Sequence, residues 1–197
     1  MEQTNKSFCV FILSHGRPDK VYTYQTLEKD GFNGDCYVLV DNEDDSYPEY
    51  VKRYGEKVIQ FDKAEIAKRT DTPDLSDERR TVIYARNACF DIAKRMGYKY
   101  FLELDDDYTS FCVRYIDGNS LKAKEIADVN VLFNAMVDFL IESKALTVAI
   151  GQGVDYIGGA DGGFWYKGLA RKAMNTFFCS TDSPFQFVGR INEDVNT

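Results

Sequence analysis

Three consecutive aspartates, Asp105, Asp106 and Asp107, close the run Tyr98-Lys-Tyr-Phe-Leu-Glu-Leu-Asp-Asp-Asp-Tyr108. Within it Tyr98, Tyr100, Leu102 and Leu104 recur at the period of a strand. Adjacent carboxylates repel one another and sit poorly inside a sheet, so the strand is expected to stop there and turn them toward solvent or a cation. Alternation along an extended chain places Asp105 and Asp107 on one face and Asp106 on the other. Two carboxylates sharing a face of a rigid strand end make a partial oxygen site for Mg²⁺ or Mn²⁺. Such ions complete their shell with water and substrate phosphate. In isolation the same run also reads as a solvated acidic turn, and the surrounding chain has to decide.

Other residues of chemical interest also follow apolar runs. Ser14-His-Gly-Arg17 comes directly after Phe8-Cys-Val-Phe-Ile-Leu13, and Asp41-Asn-Glu-Asp-Asp45 after Cys36-Tyr-Val-Leu-Val40. Near the end, Glu193-Asp194 follows strand-like residues from Phe185 onward. Each has a plain alternative. His15 reads as a loop histidine with local hydrogen bonds rather than a metal ligand, and most of the 41–45 cluster reads as solvated charge. Arg79-Arg80 fits a diphosphate grip or an exposed charge pair. Trp165 with Phe164 and Tyr166 fits a stacking platform or a core cluster. The glycine repeats of 151–163 match no P-loop or dinucleotide fingerprint, and suit a substrate-facing loop or an irregular sheet edge.

The elements that must hold these groups follow from periodicity. Unbroken apolar residues at 8–13 mark a strand buried on both faces. A helix over about 19–29 is closed by Gly31 or Gly34. A strand at 36–40, a short helix around 48–54 and a strand at 57–61 come next. Residues 62–80 are polar and mixed in charge, the best candidate for a mobile loop with some helix in it. A helix over about 77–96 carries Ala85, Ala88, Cys89, Ile92, Ala93 and Met96 on one face and stops at Gly97. After the aspartates the expectation is a polar region to Glu125, a helix over about 128–143 and a strand at 146–150. Alternating strands and helices imply a mostly parallel sheet covered on both faces, whose ligands bind outside the carboxyl ends of the strands. The Ser14, Asp41 and Asp105 segments all end strands, so they converge on one rim.

A chain of 197 residues with 44% hydrophobic and 14% aromatic content is long enough to build a sizeable core. The net charge of −8 speaks against general adhesion to nucleic acid or anionic membrane, and leaves room for a local basic groove. Cys9, Cys36, Cys89, Cys112 and Cys179 are scattered and lack a CxxC pair, so they read as small buried hydrophobes in a reducing compartment. There is no apolar signal core and no run of membrane-span length, and a cytosolic location is expected.

The order of parts resembles the glycosyltransferase A (GT-A) fold, with a nucleotide-binding α/β half, a DxD metal motif and an acceptor half. Arg86-Asn87 on a helix, then Gly97 and Phe-Leu-Glu-Leu-Asp-Asp-Asp, looks like that family's run into its DxD strand. Asn192-Glu-Asp-Val195 is similar to the motif in which inverting members place their base. More narrowly, Phe11-Ile-Leu-Ser-His-Gly-Arg-Pro18 resembles bacteriophage glycosyltransferases of DNA-base hypermodification, the TET/JBP-associated type. The resemblance implies one catalytic domain over 1–197, with a nucleotide-sugar half (1–110) and an acceptor half with a smaller sheet (111–197). Family members usually continue beyond the point where this chain stops, and carry a late metal-binding histidine, whereas the one histidine here is His15.

Carried onto this sequence, the resemblance implies that Ser14, His15, Arg17, Asp41, Arg86, Asp105 and Asp106 hold the nucleotide-sugar. Asp107 and Asp105 would bind Mn²⁺ or Mg²⁺, and Asp194, with Glu193 beside it, would act as catalytic base. The implied donor is a UDP-sugar and the implied acceptor a hydroxymethylated pyrimidine in phage DNA, within the host cytoplasm. Three rivals stand beside it: the same transfer onto a glycan or small molecule, a nucleotidyltransferase, and a non-catalytic nucleotide- or DNA-binding module. Ser-His-Gly-Arg is a poor match to the glycine-rich, basic loop that a nucleotidyltransferase would place after its first strand.

Overall fold

The computed structural model describes residues 7–72, 79, 81–118, 120–151 and 174–189. Its centre is β1 (Phe8–Leu13), whose apolar residues pair on both sides. One neighbour is β2 (Asp35–Asp41), the other β4 (Tyr100–Asp105), and both run parallel to it. β3 (Val58–Phe61) extends the parallel sheet beyond β2. On the far side β8 (Thr176–Ser180) joins β4 antiparallel, and the two-residue β7 (Thr147–Val148) closes the edge. The order is β3-β2-β1-β4-β8-β7. A second, two-stranded sheet pairs β5 (Cys112–Asp117) with β6 (Ser120–Glu125). The mixed α/β architecture with a mostly parallel central sheet and a smaller second sheet is therefore present.

Alternation along β1 feeds two cores. Val10 and Ile12 join α1 (Tyr22–Lys29), α2 (Tyr47–Tyr54) and α5 (Val129–Ser143) on one face. Cys9, Phe11 and Leu13 join α3 (Lys63–Ala67) and α4 (Ile83–Arg95) on the other. The chain winds outward from β1 through β2 to β3, then crosses back through α4 to lay β4 on the other side of β1. This reversal leaves a crevice outside the carboxyl ends of β1 and β4, the place where open α/β sheets bind ligands.

Two helices stop on the same device. Gly97 lies at φ 85° after α4, its N–H donates to the Lys94 carbonyl at 3.1 Å, and Tyr98 N–H reaches the Ala93 carbonyl at 3.0 Å. Gly31 and Phe32 repeat the pattern after α1, at φ 75° for the glycine. These are Schellman caps, and the left-handed residue in them favours glycine.

Several expectations are corrected. The polar region before Glu125 contains the β5–β6 hairpin, which periodicity missed because nearly every residue in it is exposed and no apolar-in alternation exists. β8 was not expected at all; its five residues are all buried, and a short run without alternation resembles any core segment. The strand at 146–150 shrinks to two residues. The stretch 185–189 forms no strand. Part of the 62–80 segment is helical, as expected: it is α3, capped by Asp62, which accepts from Glu65 N–H at 3.0 Å. Cys112 is exposed, whereas the other four cysteines are buried. The glycine-rich repeats from 152 onward, Trp165 and Arg80 lie outside the described residues.

Candidate active site

Where β1 ends, Ser14 is buried, and its Oγ donates to Asp106 Oδ2 at 2.6 Å and meets Tyr50 Oη at 2.7 Å. The chain then turns through Gly16 at φ 69°, a conformation that a side chain would strain. Gly16 N–H donates to Asp44 Oδ2 at 2.6 Å, and Arg17 N–H donates to the Tyr50 hydroxyl at 3.0 Å. Arg17 returns its guanidinium onto Asp106, with Nε at 2.8 Å from Oδ2 and Nη2 at 2.7 Å from Oδ1. This two-pronged pairing is the strong form of an arginine–carboxylate contact. Burial pushes the Asp106 carboxyl above its ordinary range, while Ser14 and Arg17 pull it back.

The backbone of the aspartate turn is fastened to α1. Thr23 N–H donates to the Asp106 carbonyl at 3.0 Å, and its Oγ1 donates to the Asp105 carbonyl at 2.6 Å. The same Oγ1 accepts from Tyr108 N–H at 2.9 Å, and Thr26 Oγ1 donates to the Tyr108 carbonyl at 2.9 Å. The three carboxylates are thus presented by a turn held at several points.

At the end of β2, Asp41 is buried between two basic side chains. Its Oδ2 lies 2.8 Å from His15 Nδ1 and 3.2 Å from Lys63 Nζ, and its Oδ1 accepts from Glu43 N–H at 3.0 Å. An ionised carboxylate only accepts, so the His15 proton resides on Nδ1 in the neutral ring. Lys63 is itself buried, at the start of α3, where its backbone N–H donates to Asn42 Oδ1. Within the 41–45 cluster Asn42, Glu43 and Asp45 are exposed, as expected, whereas Asp41 and Asp44 are buried and engaged.

On the opposite wall, Arg86 reaches from α4 with only 1% of its surface exposed. Its guanidinium lies over the rings of Phe177 and Phe187, at 4.9 and 5.6 Å from their centroids. Nη2 is 3.4 Å from Asp105 Oδ1, and Nη1 is 3.7 Å from Glu103 Oε2. Glu103 has no exposure, and burial pushes its carboxyl up to about 8 against the opposing pull of Arg86.

Ser14, His15, Arg17, Asp41, Arg86 and Asp105 all line one cavity of about 680 Å³, with Leu13 and Phe61 beneath and Thr81, Val82, Ala85 and Asn175 around it. That size accommodates a nucleotide-sugar. Asp106 lies beneath the rim, tied to two of the lining residues rather than lining the cavity itself. Asp107 is exposed. Glu193 and Asp194 lie outside the described residues. Arg79 pairs with Glu43 through Nε at 3.0 Å. Sequence reasoning missed Lys63, although it follows the β3 end and so belongs to the same rim. It also missed Tyr50 and Thr23, whose roles depend on contacts between elements that no local pattern announces.

The donor set suits a hard cation in kind. Asp105 is partly exposed at the cavity wall, beside Arg86, and Asp107 is exposed, so both bring carboxylate oxygen to the rim, whereas Asp106 is fully buried under Ser14 and Arg17. Among the described residues, no group of three or more His, Cys, Asp or Glu side chains gathers as a metal cage. Mg²⁺-type ions are commonly held by one or two carboxylates, with the remainder of the shell from water and substrate phosphate.

Among curated proteins, none matches this chain. Solved structures that it resembles include Staphylococcus aureus TarS 1–349, at 13% identity and a TM-score of 0.43; the likeness covers 89% of this chain and 47% of TarS. The chain thus spans about half the length of that protein. No helix among the described residues is long and apolar enough to cross a membrane. The family model of the TET-Associated Glycosyltransferases matches residues 8–197, nearly the whole sequence, with the aspartate turn and the Asp41 and Arg86 walls inside it. The chain belongs to that family.

Proposed function

We propose that this glycosyltransferase moves a sugar from a UDP-sugar to the hydroxyl of a hydroxymethylated pyrimidine in DNA, with Mn²⁺ or Mg²⁺ at Asp105 and Asp107. The observation that carries the donor side is the convergence of Asp41 with His15 and Lys63, and of Asp105 with Arg86, on one cavity at the strand ends. Asp41, fixed by two basic neighbours, is oriented to accept hydrogen bonds from the base or ribose. Arg17 and Arg86, each anchored on a carboxylate, offer fixed positive charge to the diphosphate. Fixed charges that need no rearrangement favour the departing nucleotide's developing negative charge. When bound, the metal supplies Lewis-acid stabilisation of that same charge. Asp194 takes the proton of the acceptor hydroxyl as it attacks the anomeric carbon, and Glu193 is its alternate.

The formal charge of −8 favours a second reading, the same transfer onto a glycan or other small acceptor. Mass spectrometry after incubation with UDP-sugars and Mn²⁺ separates the two. The DNA reading expects a hexose or pentose increment on nucleosides from hydroxymethylated duplex and none from unmodified duplex. Transfer to glycan alone contradicts it.

A further inference from the structure

The β5–β6 hairpin has a character unlike the rest of the molecule. Both its strands are exposed along most of their length, and a two-stranded ribbon of this kind is marginal in water unless it packs on something. Its base is fixed: Phe111 is buried, stacks on Tyr108 at 5.7 Å, and accepts a hydrogen bond from Ile126 N–H. Tyr108 is in turn held by Thr23, the residue that holds the aspartate turn. The ribbon therefore projects from the same rim as the cavity.

Register and alternation assign its faces. Val113 pairs with Lys124 and Tyr115 with Lys122, so one face carries an aliphatic and an aromatic side chain beside two lysines; Asp117 shares that face in an exposed ion pair with Lys122, a contact of little strength in water. Val113 and Tyr115 are 52% and 44% exposed. Arg114 stands on the opposite face, opposite Ala123. Three basic residues against two acidic ones make the ribbon net positive in a chain of net charge −8. A local positive face on an acidic protein complements a polyanion.

We infer that this ribbon docks in the major groove of duplex DNA, with Lys122 and Lys124 on phosphates and Val113 and Tyr115 against the groove. The inference rests on the DNA-acceptor reading above and deepens it. The major groove is about 12 Å wide and admits a two-stranded ribbon, and six-residue strands reach about 20 Å. The thymine C5-methyl group lies in that groove, and a hydroxymethyl group on the same carbon occupies the same place. A ribbon rooted beside the donor cavity and seated in that groove brings the acceptor hydroxyl to the carboxylate rim.

The test is fluorescence anisotropy of a labelled hydroxymethylated duplex across a salt series, run with the wild type, Lys122→Glu/Lys124→Glu, Lys124→Glu, Lys124→Arg and Tyr115→Ala. UDP binding, and sugar transfer to free hydroxymethyl nucleoside, are measured on each. The double variant is expected to bind about tenfold more weakly at low salt, with the logarithmic salt slope smaller by about two. Its UDP binding and nucleoside transfer stay at wild-type values, and Lys124→Arg retains duplex affinity. Wild-type duplex affinity in every ribbon variant, with DNA still glycosylated by the wild type, overturns the ribbon and leaves the acceptor reading standing. A wild type that neither binds nor glycosylates DNA, yet transfers to a glycan, overturns both. Variants that change the sedimenting mass instead of DNA affinity identify the ribbon as a contact between copies and overturn the inference.

Discussion

Glu103 points into the α4-side core beneath the cavity, with Arg86 as its ionic neighbour at 3.7 Å and Cys89 and Cys179 close by. Its burial has a consequence for stability. The carboxyl is pushed up to about 8 in the folded chain, against an ordinary 4.5 when unfolded. Between those values the folded state holds a proton that the unfolded chain has released. Stability therefore falls as pH rises through that window, at roughly 1.4 kcal/mol per pH unit at most. Urea unfolding of the metal-free protein between pH 5 and pH 8 should show this decline. Glu103→Gln should flatten it, because a neutral amide replaces the titrating group while Arg86 keeps Asp105. Equal slopes in the two proteins contradict the assignment. Asp41 illustrates what sequence can and cannot say of a residue. Its place at a strand end was legible, but its partners His15 and Lys63 come from segments 26 and 22 residues away.

At the scale of elements, the strands nearest the site were the easiest to read. The apolar run of β1 appears with the bounds its composition implies, and β4 stops at Asp105, where the carboxylates begin. Glycine signals also carried through: Gly97 ends α4 in a left-handed cap with nothing within 4 Å of where its Cβ would stand. Gly97→Ala therefore pays only conformational strain, about 1–2 kcal/mol of stability, and should leave nucleotide binding intact. A thermal melt checks the first and UDP titration the second; no loss of stability would contradict the cap. Elements on the far side of β4 were harder. β8 is buried along its whole length and β5–β6 exposed along most of theirs, so neither shows the half-buried alternation that marks a strand in sequence. Helix α3 is five residues long, too short for its period to register.

Taken whole, the molecule places its chemistry where the order of strands reverses. β2 and β3 lie to one side of β1, β4 to the other, and the cavity opens over their carboxyl ends. The parallel half of the sheet, and hence this rim, followed from alternating strands and helices in the sequence. The antiparallel edge did not, because β8 pairs with β4 across more than 70 residues of chain. The chain belongs to the TET-Associated Glycosyltransferase family, and the central claim proposed beyond that is a metal-assisted nucleotide-sugar site at Asp105 and Asp107. Calorimetric titration of UDP, GDP and CDP, with and without Mn²⁺, into wild type and Asp107→Ala tests it most directly. The account predicts micromolar binding of UDP that needs Mn²⁺ and is lost in the variant. UDP binding that is indifferent to Mn²⁺, or unchanged in Asp107→Ala, would contradict it.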